Sequence, residues 1–539
     1  MSVSNINFSF VPMKVDTRIL FFVFLISFQK SFSQNSFVQK QNPYPEFDFS
    51  LAGYHFGKEL PSRNMEGKQI FKVVDFGAIP NDGKDDIDAI QSAVHAAEKA
   101  EGGIILFPQG VFDFDVETNR RFVQVSNSNI VLRGYGEGID GTILHDHHPS
   151  KSPDSTKKWL GGTFPSFFKV GRSIENPDSI LVALLEDASF ESIQIKCKPG
   201  TKIMQGTYAL LQTNPPDNSL TRELIFPLKN MGATHGKNEA KFQQMVTVIS
   251  VENNILKLDA PINWRLLQKW NPRLVKLPNL IYETGVENFR LITDWKEPFY
   301  HHKDDIHDSG WDHIHFDGVE NGWVRNIVHD SPSGAIALSW CKNSVVYDCQ
   351  IIGNRGHNGF QINGASTRNL FFNLKGGSTM HTYSMNGFCS GNVFHFCFTD
   401  APTAVDCHGS LCIYNLFDNI YGAVIQNGGS NGAVPPAHAH GMVLYNFNAG
   451  FENAYNARIV TNVFKASIYP GSFVFGFRSK LGYPISIEDE NGLRHFKDFE
   501  TPFTSAKKMN YAGNLDVPSL YHWQRKLRYK TTMPVEPGR

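Results

Sequence analysis

The chain has 539 residues, a net charge of −1 and a globular composition, 41% hydrophobic and 13% aromatic. A balance so near zero excludes a global electrostatic attraction to nucleic acid, so any selectivity for an acidic ligand must come from local clusters. The length exceeds an average domain but suits a solenoid with insertions.

Lys14 and Arg18 precede an apolar run from Ile19 to Ile26, and Ser31-Phe32-Ser33 offers small residues for a cut before Gln34. This is the layout of a secretory signal over residues 1–33, with Met13 as an alternative start. The expected destination is secreted, periplasmic or cell-surface. The run is too short to span a membrane, and no later stretch reaches 18 consecutive apolar residues. Residues 34–70, with Pro43 and Pro45, read as an extended arm.

The block 71–144 opens with a strand-like run, Phe71 to Ala78. Ile87, Ile90, Val94 and Ala97 then recur at helical spacing, with Asp85 or Asp86 as N-cap and Gly102-Gly103 as the stop. Ile104 to Phe107 is a buried strand. Such a helix suits the open end of a solenoid, which would otherwise expose its core. The block 145–284 loses the rhythm, and Thr207–Gln212 and Met245–Pro261 alternate like antiparallel strands. It reads as a β-rich insertion packed against the solenoid and supplying one wall of a groove.

From 285 to 429 a repeat of about 22 residues takes over. Val324-Arg325-Asn326-Ile327 is echoed by Val346-Tyr347-Asp348-Cys349, Phe371-Phe372-Asn373-Leu374, Val393-Phe394-His395-Phe396 and Ile413-Tyr414-Asn415-Leu416. A second register runs through Ile362-Asn363-Gly364, Met385-Asn386-Gly387, Cys407-His408-Gly409 and Gln426-Asn427-Gly428. Short alternating runs punctuated by Gly, Asn and Ser predict an all-β right-handed parallel β-helix, each repeat one coil. Asn373 is assigned to turn hydrogen bonds. Asn363, Asn386 and Asn427, each before a glycine, read more readily as turn-forming ladder residues than as catalysts. His395 is placed in the ladder's structural Asn/Asp column. Residues 430–539 lose the clear repeat and become basic near Lys526–Lys530, and are read as C-terminal coils and a capping tail. Of seven cysteines, six fall between Cys341 and Cys412. Packing at corresponding points of successive coils is favoured over disulfides for Cys349, Cys397 and Cys412.

The runs D-F-G-A (75–78), N-D-G-K-D-D-I-D-A-I-Q (81–91) and G-G-I-I-L-F-P-Q-G (102–110) resemble the N-terminal entry of the pectin-lyase-like superfamily. That group includes pectate lyase-like proteins, polygalacturonases, rhamnogalacturonases and phage tailspikes. The resemblance implies the β-helix and a polysaccharide partner. It leaves open lyase, hydrolase, epimerase or binder. Gly310-Trp311-Asp312 and Gly356-His357-Asn358-Gly359 are similar to the first and third polygalacturonase motifs. Ser331-Pro332-Ser333-Gly334 stands where that family has paired aspartates, which an inverting hydrolase needs. A hydrolase would have to use Asp312, Asp400 or Asp406.

Alternation about the buried Val405 and Cys407 turns Asp406 and His408 outward, with Ser384 and Asn386, then Gln361 and Asn363, on the preceding coils. A lyase needs a base at C5 and a counter-charge for a uronate. His408 is the candidate base, with Asp406 orienting it or binding a cation, and Tyr383 and His357 are also candidates. Arg355 and Lys342 would hold the acid, and a calcium ion could assist. Gln361, Asn363, Asn386 and His381 would bind sugar hydroxyls, and Trp340, Trp323 and Trp311 would stack on sugar faces. His301-His302-Lys303-Asp304-Asp305-Ile306-His307-Asp308 has metal-donor atoms but the composition of a solvated loop. It is read as a loop, and no metal ligand is assigned. The expected function is thus an exported polysaccharide lyase acting on an acidic glycan. A glycoside hydrolase and a non-catalytic glycan binder are the rivals, and the oligomeric state is left open.

Overall fold

The computed structural model describes residues 47–529, apart from 118–121, 151–164, 225–241, 426–437, 480–484, 497–502, 505–516 and shorter breaks. The signal segment 1–33, Asp400, Asn427 and the Lys229–Lys241 stretch (but for Lys241's neighbours from 242 on) lie outside the described residues.

Period-two strands build the coils. In Asn358–Asn363, Phe360 and Ile362 are buried while Gln361 and Asn363 turn outward. Ile314, Ile336, Phe360, Tyr383 and Val405 stand in one inward column across five parallel strands. That sheet holds eight strands, and the chain passes between it and a second, larger sheet once per coil. In the larger sheet Val324, Val346, Phe371, Phe394 and Phe417 share a column. The Phe371, Phe394 and Phe417 rings stack at 4.4 and 5.1 Å. Parallel strands joined by crossovers through the opposite sheet make a parallel β-helix, right-handed as such crossovers are.

Two ladders hold the coils in step. Asn288, Asn326, Asp348, Asn373, Asn419 and Asn446 all have left-handed backbone at one point of the coil, where short polar side chains carry little strain. Phe396 occupies that point in its own coil. His395 therefore does not belong to the column expected of it, and stacks instead on Phe372 at 5.3 Å. Asn415 also shifts. It closes a buried ladder in which Asn369 Nδ2 donates to Asn392 Oδ1 and Asn392 Nδ2 to Asn415 Oδ1, each at 3.0 Å. All seven cysteines are buried thiols; Cys349 pairs with Ile327, and Cys397 with Leu374 and Ile420.

The helix Ile87–Lys99 forms, with Asp85 Oδ1 accepting from the Ile87 amide at 3.0 Å. Its apolar face packs where both sheets begin. Between 180 and 276 lies a six-stranded antiparallel sheet, whereas Phe168–Gly171 belongs to the eight-stranded coil sheet. The antiparallel sheet packs on the coils themselves. It buries against Trp323, Val345, Leu370 and Val393, where coils enter the larger sheet. Among the described residues no helix is long and apolar enough to cross a membrane.

Candidate functional site

The segment between the strands Gly285–Thr293 and Asp312–Asp317 is long enough to fold back over the coil surface. It is not a solvated loop. Trp295, Phe299 and Trp311 are buried together with Met380 against them, and a helical turn runs over Ile306–Gly310. His307 is buried within it and meets Asp304 at 2.7 Å. This anchoring carries His301 and His302 to the coils, where His301 lies 5.1 Å from the His357 ring and 6.0 Å from the His381 ring.

Five imidazoles and two carboxylates thus converge. Asp308, buried, faces His302 Nδ1 at 3.2 Å and His357 Nδ1 at 3.5 Å, and its backbone carbonyl is 3.2 Å from the same His357 nitrogen. Two strands along, His408 Nδ1 contacts Asp406 Oδ2, and His381 Nδ1 lies 3.6 Å from that oxygen. Asp406 points outward from its coil, in register with Ser384 and Gln361, yet its neighbours cover it to 1% exposure. Its Oδ1 has no hydrogen-bond partner among the described residues. The His408 side chain keeps 27% of its surface exposed, so the imidazole is the reachable end of the pair.

Burial and contact set the charges. Burial would raise the Asp406 carboxyl, but His381 and His408 outweigh it and hold it below the usual carboxylate value. Burial opposes a proton on His408, but Asp406 prevails and raises the imidazole. Burial, then the neighbouring His302 and His381, pushes His301 down to about 3. Burial, with His381 and His301, holds His357 well below its ordinary value. One end of the cluster thus carries a paired carboxylate and imidazole, and at the other burial keeps His301 and His357 neutral.

The other expected residues divide. Gln361 remains in the row beside Ser384, Asn363 pairs with Ser339, and Arg355 is half-buried in the turn that carries His357. Asn386 donates its amide to Ile362 at 2.9 Å, continuing the coil turn. Lys342 is elsewhere. It is buried on the insertion side, 2.5 Å from Asp259 and 2.7 Å from Glu320, so it cannot hold a substrate in this row. Tyr383 points into the core, stacks on Phe360 and donates to the Phe398 carbonyl at 2.8 Å. Trp340 packs beside Tyr208 of the insertion, and Trp323 and Trp311 are buried at 4% and 5% exposure, so no sugar can stack on them. Asp312 is buried against Ser333 and His315. It lies four strand steps from Asp406, roughly 19 Å at about 4.8 Å per step. An inverting carboxylate pair stands about 6.5–9.5 Å apart, so these two do not form one.

Sequence reasoning found His357, His381, Asp406 and His408 but set aside His301, His302 and Asp308. The signal for them was present in Trp295, Phe299 and Trp311, apolar residues that a solvated loop would not carry.

No protein-family model matches the chain, and no curated protein matches it. Solved structures with a similar course include the tailspike protein gp49 from Pseudomonas phage LKA1, at 11% identity and TM-score 0.46, covering 70% of this chain and 59% of that one. The tailspike gp61 of Pseudomonas phage phi297 is 10% identical with TM-score 0.43, over 80% and 77% of the two chains. An ι-carrageenase complexed to ι-carrageenan fragments is 13% identical with TM-score 0.34, over 75% and 60%. This chain spans less than two thirds of the length of gp49 and of the carrageenase.

Proposed function

We propose that this protein is an exported carbohydrate-active enzyme that cleaves an acidic polysaccharide by β-elimination. The observation that carries the reading is the Asp406–His408 pair, a buried carboxylate behind a partly exposed imidazole. Ser384 and Gln361 continue its row with groups able to hydrogen-bond a sugar. A carboxylate at Nδ1 fixes the tautomer, leaves the Nε2 lone pair as proton acceptor and stabilises the imidazolium that results. In the reaction His408 takes the proton at C5 of a uronate. The C5–H electrons form the C4–C5 double bond, the C4–O bond breaks, and the leaving oxygen takes a proton from water. Arg355, in the turn that carries His357 two strands away, supplies charge for the uronate carboxylate.

The test is a panel of acidic and neutral glycans, following ultraviolet absorbance of unsaturated uronates alongside new reducing ends. Both signals should rise together on an acidic glycan. Reducing ends without absorbance would replace elimination by hydrolysis, and binding with neither signal would make the protein a glycan binder.

A further inference from the structure

His301, His302 and His357 each offer a ring nitrogen, and the three atoms lie within 4.8 Å of one another. Zinc held at about 2.0–2.1 Å by tetrahedral nitrogens sets those atoms about 3.4 Å apart, so small side-chain rotations close the gap. Two of the three rings already have the outer partner that metal-bound histidines need. Asp308 faces Nδ1 of both His302 and His357, so the lone pair of each ring resides on Nε2. The His302 side chain is 44% exposed, which gives the cluster an entry path.

We propose that His301, His302 and His357 form a site for one divalent transition-metal cation of the zinc class, with Asp308 as the carboxylate that orients two of its ligands. Three imidazoles suit zinc, nickel or cobalt, whereas calcium takes oxygen ligands, so the calcium considered from the sequence does not fit this donor set. Three protein ligands leave a position open, as catalytic zinc sites do. The inference rests on the proposed glycan-cleaving site, where such a cation would neutralise an acidic substituent beside His408.

A second group of donors, Asp113, His145 and His147, serves as the internal comparison. There both nitrogens of His147 already face carboxylates, Asp113 at 2.8 Å and Asp294 at 3.1 Å, and His145 lies 3.2 Å from Asp294. That arrangement is an ion-paired ladder with its lone pairs engaged.

The experiment is calorimetric titration of the chelator-treated full chain with Zn²⁺, and with Co²⁺ followed by visible absorption. The expected result is one ion per chain, with the cobalt bands of a four-coordinate nitrogen-rich site. His302→Gln, on an exposed ring, should remove the binding step while leaving the melting curve of the metal-free protein unchanged. Asp308→Asn should weaken affinity about 10- to 100-fold. His147→Gln should leave the titration as it was. Absence of stoichiometric binding, binding indifferent to His302→Gln, or binding lost in His147→Gln would each overturn the site. Glycan cleavage that persists in chelator with no metal bound would sink the metal and spare the proposed function. Stoichiometric metal without cleavage of any glycan would do the reverse.

Discussion

His408 and Asp418 are both histidine-linked or buried ionisable positions, and their surroundings assign them different work. His408 can reach solvent and has a carboxylate behind it. His408→Gln should therefore lower kcat about 10²- to 10⁴-fold with substrate binding retained, the usual contribution of a positioned acid or base. Near-normal turnover by a folded variant would move the search to His381 and His357. Arg355→Ala should instead raise KM, measured on the same substrate. Asp418 is wholly buried beneath the C-terminal helix Leu520–Tyr529 and accepts from Ser519 Oγ at 2.7 Å, the Tyr521 amide at 2.9 Å and Asn419 Nδ2 at 2.8 Å. Burial pushes its carboxyl up to about 7 despite these donors, while burial keeps the facing His395 neutral. The folded state then binds this proton more tightly than the unfolded chain. Its contribution is full below about pH 4 and is lost as pH rises toward 7, on the order of 4 kcal/mol in all. Thermal melts across that range should show wild type losing stability relative to Asp418→Asn, and parallel melting profiles would refute the assignment.

At the scale of elements, the asparagine ladder and the left-handed column do different jobs. Asn373 sits in the left-handed column, and its side chain makes an exposed bond to Asp348 at 3.1 Å. Replacing it removes little that is buried. Asn392 is fully buried and serves three coils at once. Its Oδ1 takes the Asn369 amide at 2.9 Å, and its Nδ2 reaches Asn415 Oδ1 at 3.0 Å and the Ser366 carbonyl at 3.1 Å. Asn392→Leu should cost about 1–3 kcal/mol for each group left unpaired, and more than Asn373→Leu, in denaturant titrations. Equal costs would show that the ladder is not what aligns the coils. The long 294–311 segment is the other element that matters. Its three buried aromatic residues replace the strand pairing it lacks, and that fixed position is what lets His301 meet His357 and His381.

Across the whole molecule, Lys342 ties the antiparallel sheet to the coils, bonding Asp259 and Thr247 of the insertion and Glu320 of the β-helix. Burial disfavours its charge, but Asp259 and Glu320 outweigh that and raise the ammonium. Lys342→Met strands two carboxylates and should cost about 3–5 kcal/mol, with the 180–276 region becoming protease-sensitive first. Unchanged stability and cleavage would mean the apolar contacts alone dock it. The repeat near 22 residues, the alternation that turns Asp406 and His408 outward, and the helix at 87–99 were all legible in the sequence. Each is a local periodicity, and a strand or helix imposes its period on its own residues. Column membership was less legible, because turns of unequal length shift His395 and Asn415 away from the residues they mimic. The fates of Lys342, Tyr383 and Trp340 were not legible at all, since an insertion distant in sequence covers one corner and the core claims an inward ring. The sequence by itself determined the coil and which face of it is polar. Only the tertiary structure decided which polar residues meet, because His301, His302, His357, His381 and His408 come from one folded-back segment and successive coils, and their distances follow from stacking and packing rather than from order along the chain.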